Sequence, residues 1–413
     1  MSLLPVAEAQ ERLLSRANSI KAIEKAPLAQ ASGRVLGLDL KAKLTQPPFD
    51  ASAMDGYALA AADAPVIGSE LTVIGSAAAG HAFEGRLGRG ETVRIFTGAP
   101  VPDGADTILI QEDAEKIGEN RIRTTFDVAP GRHVRPRGQD FAEGETVLQA
   151  GTRLDFSGVT VAAAMNHPDL PVYRKPVVAI LATGDELVQP GSQPASAQII
   201  ASNTFGIAAL VRENGGEVVD LGIVPDRQDA IEKAISMARM AGVDVIVTLG
   251  GASVGDHDLV QATLLRAGMQ LDFWRIAMRP GKPLMVGSLG DTYVLGLPGN
   301  PVSSLVCGLL FLEPLVRRLA SLPAVDRITT AEAATTLNAN DQRQDYVRAR
   351  LLRSESGALR AEPFGKQDSS MMKTFANADC LIIRPPHAPK LKAGGACPVM
   401  LIRPNPFCTQ SNT

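Results

Sequence analysis

Between Val177 and Ala267 the chain alternates short β-branched apolar runs with helical patterns, and that alternation leaves few folds open. Val177–Leu181, Glu217–Ile223 and Val243–Leu249 read as strands, while Thr204–Glu213, Arg227–Met240 and Leu259–Ala267 read as helices. The first helix stops at Asn214-Gly215-Gly216, a C-cap signal. A β-α-β-α-β-α order predicts a parallel sheet with helices on both faces, and ligands then belong at the carboxyl ends of the strands. Further strands at Leu271–Ala277, Leu284–Gly287 and Thr292–Leu297 and a long apolar helix over Pro301–Leu319 complete this part.

The flanks differ. Residues 5–19 carry apolar positions at helical spacing, and Val35–Leu40 reads as a strand. From Gln46 the composition changes: Pro47, Pro48 and ASAMDGYA read as an ordered loop, and over 66–150 short alternating runs broken by glycine, proline and Asp-Gly predict a small β-rich domain. The tail, 324–413, again reads as a small β domain. The expected architecture is therefore a multidomain α/β chain: 1–45 with 140–174 as a mixed linking domain, 46–139 as an inserted β-rich domain, 175–322 as the α/β domain and 323–413 as a C-terminal β domain. A length of 413 residues requires several cores in any case.

Bulk charge narrows the function. With 41 basic and 44 acidic residues the net charge is -3, and only 4% of residues are aromatic, so a nucleic-acid surface is not expected. No apolar run is long enough to span a membrane, and the N-terminus lacks a basic signal region, so a cytoplasmic location is expected. Cys307, Cys380, Cys397 and Cys408 form no CxxC pair, and the five histidines are scattered, so no zinc or iron–sulfur signature follows.

The chemistry concentrates at the strand ends. The turn TLGGASVGDHD, Thr248–Asp258, is a glycine-rich strand-to-helix turn of the kind that offers backbone N–H groups to an anion. It also carries Asp256 and Asp258, which suit such a turn only if a divalent cation lies between acid and phosphate. Glu186 in ATGDEL and Asp226 in VPDR follow the first two strands, so three strands each deliver a carboxylate to one edge. Each alone is an ordinary cap; together they fit a magnesium and oxyanion site. RIAMRPGKP places Arg275, Arg279 and Lys282 around a Pro-Gly turn, either an oxyanion-binding loop or a solvated one. LPGNPVSS puts Asn300 at an N-cap and Pro301 at the first helical position, leaving N–H groups for a phosphate or simply starting a helix well.

Taken in order, SAMDGYA (Ser52–Ala58), TGAPVPDGAD (Thr97–Asp106), RxxGxDF (Arg135–Phe141), ATGDEL, VPDR, GGASVGDHD, RPGKP and LPGNPVS resemble the molybdopterin molybdenumtransferase (MoeA) family, which includes the E domain of gephyrin. The resemblance implies conversion of adenylylated molybdopterin and molybdate to the molybdenum cofactor with release of AMP, using magnesium. It implies a homodimer whose cleft joins the α/β domain of one subunit to the β domain of the other, and transient contact with the adenylyltransferase and with recipient molybdoenzymes. It assigns catalytic roles to Asp55, Thr97, Asp140, Glu186, Asp226 and Asp256, with Glu186, Asp226 and Asp256 around the cation. Ser253, Arg275, Arg279, Lys282, Pro298, Gly299, Asn300, Pro301, Arg348 and Ser369 fall to substrate binding. Arg275 and Arg279 stand where the family often has lysine, and KQDSSMM (Lys366–Met372) follows its pattern loosely. A molybdopterin adenylyltransferase and a non-catalytic pterin-binding scaffold are the alternatives.

Overall fold

The computed structural model describes residues 3–251, 259–353 and 357–403, which divide into two compact units: 24–172, and 1–23 together with 173–413.

The first unit is built on a six-stranded sheet in the order 107–110, 56–59, 91–95, 70–77, 121–124, 114–116. Strands 70–77, 91–95, 107–110 and 121–124 fall on the alternating runs, whereas 56–59 and 114–116 were not expected as strands. Ala58, Val93, Ile95 and Ile108 pack on one face, and Tyr57, Leu59, Leu71, Leu109 and Ile122 on the other. A third core gathers Leu36, Leu40, Phe141 and Leu154 around the helix Phe156–Ala164. Asp155 caps that helix by accepting from the N–H groups of Ser157 and Gly158.

The second unit holds the α/β domain. Its strands are β1 (Val177–Thr183), β2 (Glu217–Val224), β3 (Val245–Leu249), β4 (Gln270–Trp274), β5 (Met285–Leu289) and β6 (Thr292–Leu297), in the order β2-β1-β3-β6-β5-β4. The helices are α1 (Asn203–Glu213), α2 (Gln228–Met240) and α3 (Leu259–Arg266). Strand β1 is apolar on both faces because both are covered: Val178, Ile180 and Ala182 join one core, and Ala179 and Leu181 the other. α1 ends at Asn214, and Gly215 takes the left-handed φ of +87° that the C-cap signal called for.

The sheet is mixed, not parallel throughout as expected. β1, β2, β3 and β6 run parallel, but β5 is antiparallel to β6 and to β4. The reason is local: Leu289 pairs with Thr292 across the two-residue turn Gly290-Asp291, and such a short link permits only a hairpin.

The predicted long helix runs as α4 (Pro301–Cys307), a wide π turn (Gly308–Leu312) and α5 (Glu313–Leu319). Pro314 explains the irregularity. It has no N–H for the carbonyl of Leu310, four residues back, and that carbonyl instead accepts the side-chain amide of Gln10 at 2.8 Å. Gln10 lies on the N-terminal helix Val6–Arg16, whose Val6, Ala9 and Leu13 enter the same core.

Beyond it, β7 (Ile328–Ala333), β8 (Gln344–Arg353), β9 (Leu359–Pro363), β10 (Cys380–Arg384) and β11 (Ala396–Leu401) close into a small barrel in the order β8-β9-β7-β11-β10, with β10 returning to β8. Among the described residues no helix is long and apolar enough to cross a membrane.

Candidate functional site

The carboxyl ends of β1, β3 and β6 open onto a cavity of 780 Å³. Its floor is Ala182, Thr183, Leu249, Gly250 and Gly251; Pro298–Pro301 form one side, and Leu187, Ile199 and Ile200 an apolar other side. This is where an α/β sheet places its ligand. The glycines are needed there. Gly250 has φ +97°, and a Cβ on it would stand 2.9 Å from the carbonyl oxygen of Thr183. Gly250→Ala is expected to cost about 1–3 kcal/mol, from left-handed strain plus that contact. Urea unfolding checks this, and a loss below about 0.5 kcal/mol would show that the turn relaxes freely. The hydroxyls of Thr183 and Thr248 lie buried beside this turn with no hydrogen-bond partner among the described residues.

At one edge of the cavity stand the predicted acids. Glu186 lines it, its carboxylate folded over Gly184, and Asp226 follows β2. Asp185 accepts the N–H of Asp226 at 3.1 Å. Partial burial, and then the like charges of Asp185 and Glu186, raise Asp226 above the ordinary carboxylate range. An acid cluster that resists ionisation is relieved by a hard cation, and two carboxylates completed by substrate phosphates suit magnesium. Among the described residues no three acidic, histidine or cysteine side chains gather as a complete metal site. Asp256 and Ser253 lie outside the described residues.

The three cations of the Pro-Gly turn have separate fates. Arg275 adopts φ +68° and stacks its guanidinium 4.0 Å from the ring centre of Trp274. Arg279 is turned onto the barrel, bonded to Asp345, to Asp341 at 3.2 Å and to Asn340 at 3.3 Å. The Asp345 bond holds its charge firmly. Lys282 is exposed and makes no ion pair among the described residues, next to the cavity-lining Pro283.

Asn300 and Pro301 occupy the N-cap and first position of α4 as predicted, but the Asn300 side chain caps nothing. It donates to the hydroxyl of Ser369 at 3.0 Å, and the N–H of Val302, expected to be open to a phosphate, donates to the Ser369 carbonyl at 3.0 Å. Asn203 donates to the carbonyl of Gly299 at 2.7 Å. The barrel segment 364–372 thus packs on this helix start. Behind it Arg348 is only 1% exposed and is held by Gln367 and the Asp368 carbonyl.

In the first unit, Asp55 accepts both the N–H and the hydroxyl of Thr97 at 2.8 Å, and the backbone bond foremost keeps its carboxyl below the usual range. Asp140 lines a 490 Å³ cleft of that unit with Gln46, Phe49, Arg135 and Gly98, the residue that follows Thr97. The apolar wall Leu187–Ile199–Ile200, Asn203 and Gln367 were missed from sequence; only distant contacts reveal them.

Comparison with known proteins follows this geometry. Residues 4–166 match the MoeA N-terminal region (domain I and II), 179–318 a probable molybdopterin binding domain, and 330–402 the MoeA C-terminal region (domain IV). The chain is 32% identical over 394 residues to the molybdopterin molybdenumtransferase of Haemophilus influenzae, covering 95% of this chain and 97% of that one. It is 33% identical over 381 residues to that of Bacillus subtilis, covering 90% and 87%. The crystal structure of the molybdopterin biosynthesis MoeA protein from Pyrococcus horikoshii superposes with a TM-score of 0.79 at 29% identity, covering 97% of this chain and all of that one. Domain order, strand-edge site and full-length similarity together place this chain in the molybdopterin molybdenumtransferase (MoeA) family.

Proposed function

We propose that this protein inserts molybdate into the dithiolene of adenylylated molybdopterin, with magnesium-assisted hydrolysis of the phosphoanhydride and release of AMP. Its place in molybdenum cofactor biosynthesis, as a transferase, follows from its family. The observation that carries the finer reading is the 780 Å³ cavity with Glu186 on its wall and Asp226 beside it, next to the uncommitted Lys282. Bound magnesium would neutralise phosphoanhydride oxygens. Glu186, Asp226 and Asp256 are the residues that would hold the cation. Pro298–Pro301 and the Gly250 turn bracket the phosphate-bearing ligand. Molybdate is a tetrahedral dianion; Lys282 is the cation free to meet it, with Ser253, Arg348 and Ser369. Arg275 and Arg279 shape this region through stacking and ion pairing. The molybdenum ends on the substrate's sulfurs, so the protein needs no cysteine ligands.

In a homodimer, Asp55, Thr97 and Asp140 of a second copy complete the cleft. The working location is the cytoplasm, with transient delivery from the adenylyltransferase and hand-over to molybdoenzymes. The finer division 1–45 with 140–174, 46–139, 175–322 and 323–413 belongs to the same proposal.

The test is incubation with adenylylated molybdopterin, magnesium and molybdate. AMP release that depends on molybdate is expected, and Asp256→Asn is expected to bind the substrate yet release no AMP. Full activity in that variant removes the catalytic assignment. Adenylylation of molybdopterin from ATP would favour an adenylyltransferase, and neither activity would leave a binding role.

A further inference from the structure

We infer that Gln367 is a positioning residue that aims the guanidinium of Arg348 at the oxyanion substrate, an inference that rests on the function proposed above. Arg348 lies on β8, and a cation this deeply buried demands matched acceptors. The side-chain amide of Gln367 supplies them and has no capacity left over. Its oxygen accepts from the Arg348 backbone N–H at 3.0 Å and from Arg348 Nε at 2.9 Å. Its nitrogen donates to the carbonyls of Arg348 at 3.0 Å and Phe364 at 2.9 Å. The amide therefore pairs with Arg348 as a neighbouring strand would, and adds a grip on the guanidinium.

Arg348 Nη1 donates to the Asp368 carbonyl at 2.8 Å. Bonds at Nε and Nη1 fix the guanidinium plane, and no protein acceptor among the described residues takes Nη2. The Asp368 carboxylate is bonded to the N–H and hydroxyl of Ser370 instead of to the guanidinium. Ser370 lines the cavity, and Ser369 bonds Asn300 on its rim. An anion arriving at this end would meet a cation already oriented, with one donor unmatched. Only glutamine serves here: asparagine is a methylene short, and glutamate would set an acceptor against two carbonyls.

The test compares Gln367→Met with wild type in molybdate-dependent AMP release. Met fills the space but makes no hydrogen bond. The apparent KM for molybdate is expected to rise about tenfold, with kcat at saturating molybdate within about twofold and affinity for adenylylated molybdopterin unchanged. Gln367→Asn keeps an uncharged amide but is a methylene short of Nε, so its molybdate KM is expected to rise as well, and it carries the test if Gln367→Met melts early. A molybdate KM within twofold of wild type in a folded variant, or a loss confined to kcat, would overturn the inference and leave Gln367 a loop brace. Wild-type protein that releases no AMP on adding molybdate would sink the proposed function itself, and this inference with it.

Discussion

At pH 7, Asp226→Asn is expected to slow molybdate-dependent AMP release by on the order of 10²-fold or more, and yet to raise the stability of the fold. Both effects have one cause. Asp226 is exposed at the cavity edge, yet its partial desolvation and the like charges of Asp185 and Glu186 disfavour its ionised form in the folded chain. Its folded pKa lies above the ordinary 3.8, so the native state binds the proton more tightly than the unfolded one. Stability therefore falls as pH rises from 3.8 through the raised value. Asparagine keeps the shape and carries no charge, so the penalty disappears along with the carboxylate needed for chemistry. Urea unfolding of both proteins at pH 7 and pH 3.5 checks the sign. The gap favouring the variant at pH 7 should close at the lower pH. A variant less stable than wild type at pH 7 would show that the three acids do not repel one another as placed.

The same cluster shows what a sequence reveals and what it hides. Glu186 and Asp226 were legible because a carboxylate two or three residues past a parallel strand stands at the ligand edge. β1 and β3 were legible because both faces are covered, so the apolar run is unbroken. Strand direction was not: no residue within β4 or β5 marks it, and the Gly290-Asp291 turn is what reverses the chain between β5 and β6. Contacts between distant segments were invisible. Nothing near Pro314 announces that Gln10 takes the carbonyl it orphans, and nothing near Arg279 announces Asp341 and Asp345. Three cations within eight residues look like one anion site in a string of letters. In space, one stacks on the tryptophan beside it, one binds barrel carboxylates more than sixty residues away, and one makes no ion pair among the described residues.

Arg327→Leu is expected to cost about 3–5 kcal/mol, the largest single loss of stability foreseen in the second unit. Arg327 precedes β7 and Glu313 begins α5. The two form a forked pair with both N–H···O distances at 2.9 Å, and their side chains are only 13% and 4% exposed. Arg327 Nη1 also donates to the carbonyls of Leu401 and Ile402, at 3.2 and 2.9 Å, so one guanidinium ties helix, barrel entry and barrel exit together. Leucine removes all of these donors and leaves the Glu313 carboxylate buried without a counter-charge, which is the costly part. It follows that Arg327→Met combined with Glu313→Gln should recover most of the loss, because no unpaired charge then remains. Equilibrium urea unfolding of the single and double variants measures this. A double variant as unstable as Arg327→Leu would mean that the two carbonyl contacts, and not the buried carboxylate, dominate. Because α5 continues the helix that starts at Asn300, and the barrel presents Ser369 to that start, loosening this pair should also weaken substrate binding before it affects turnover.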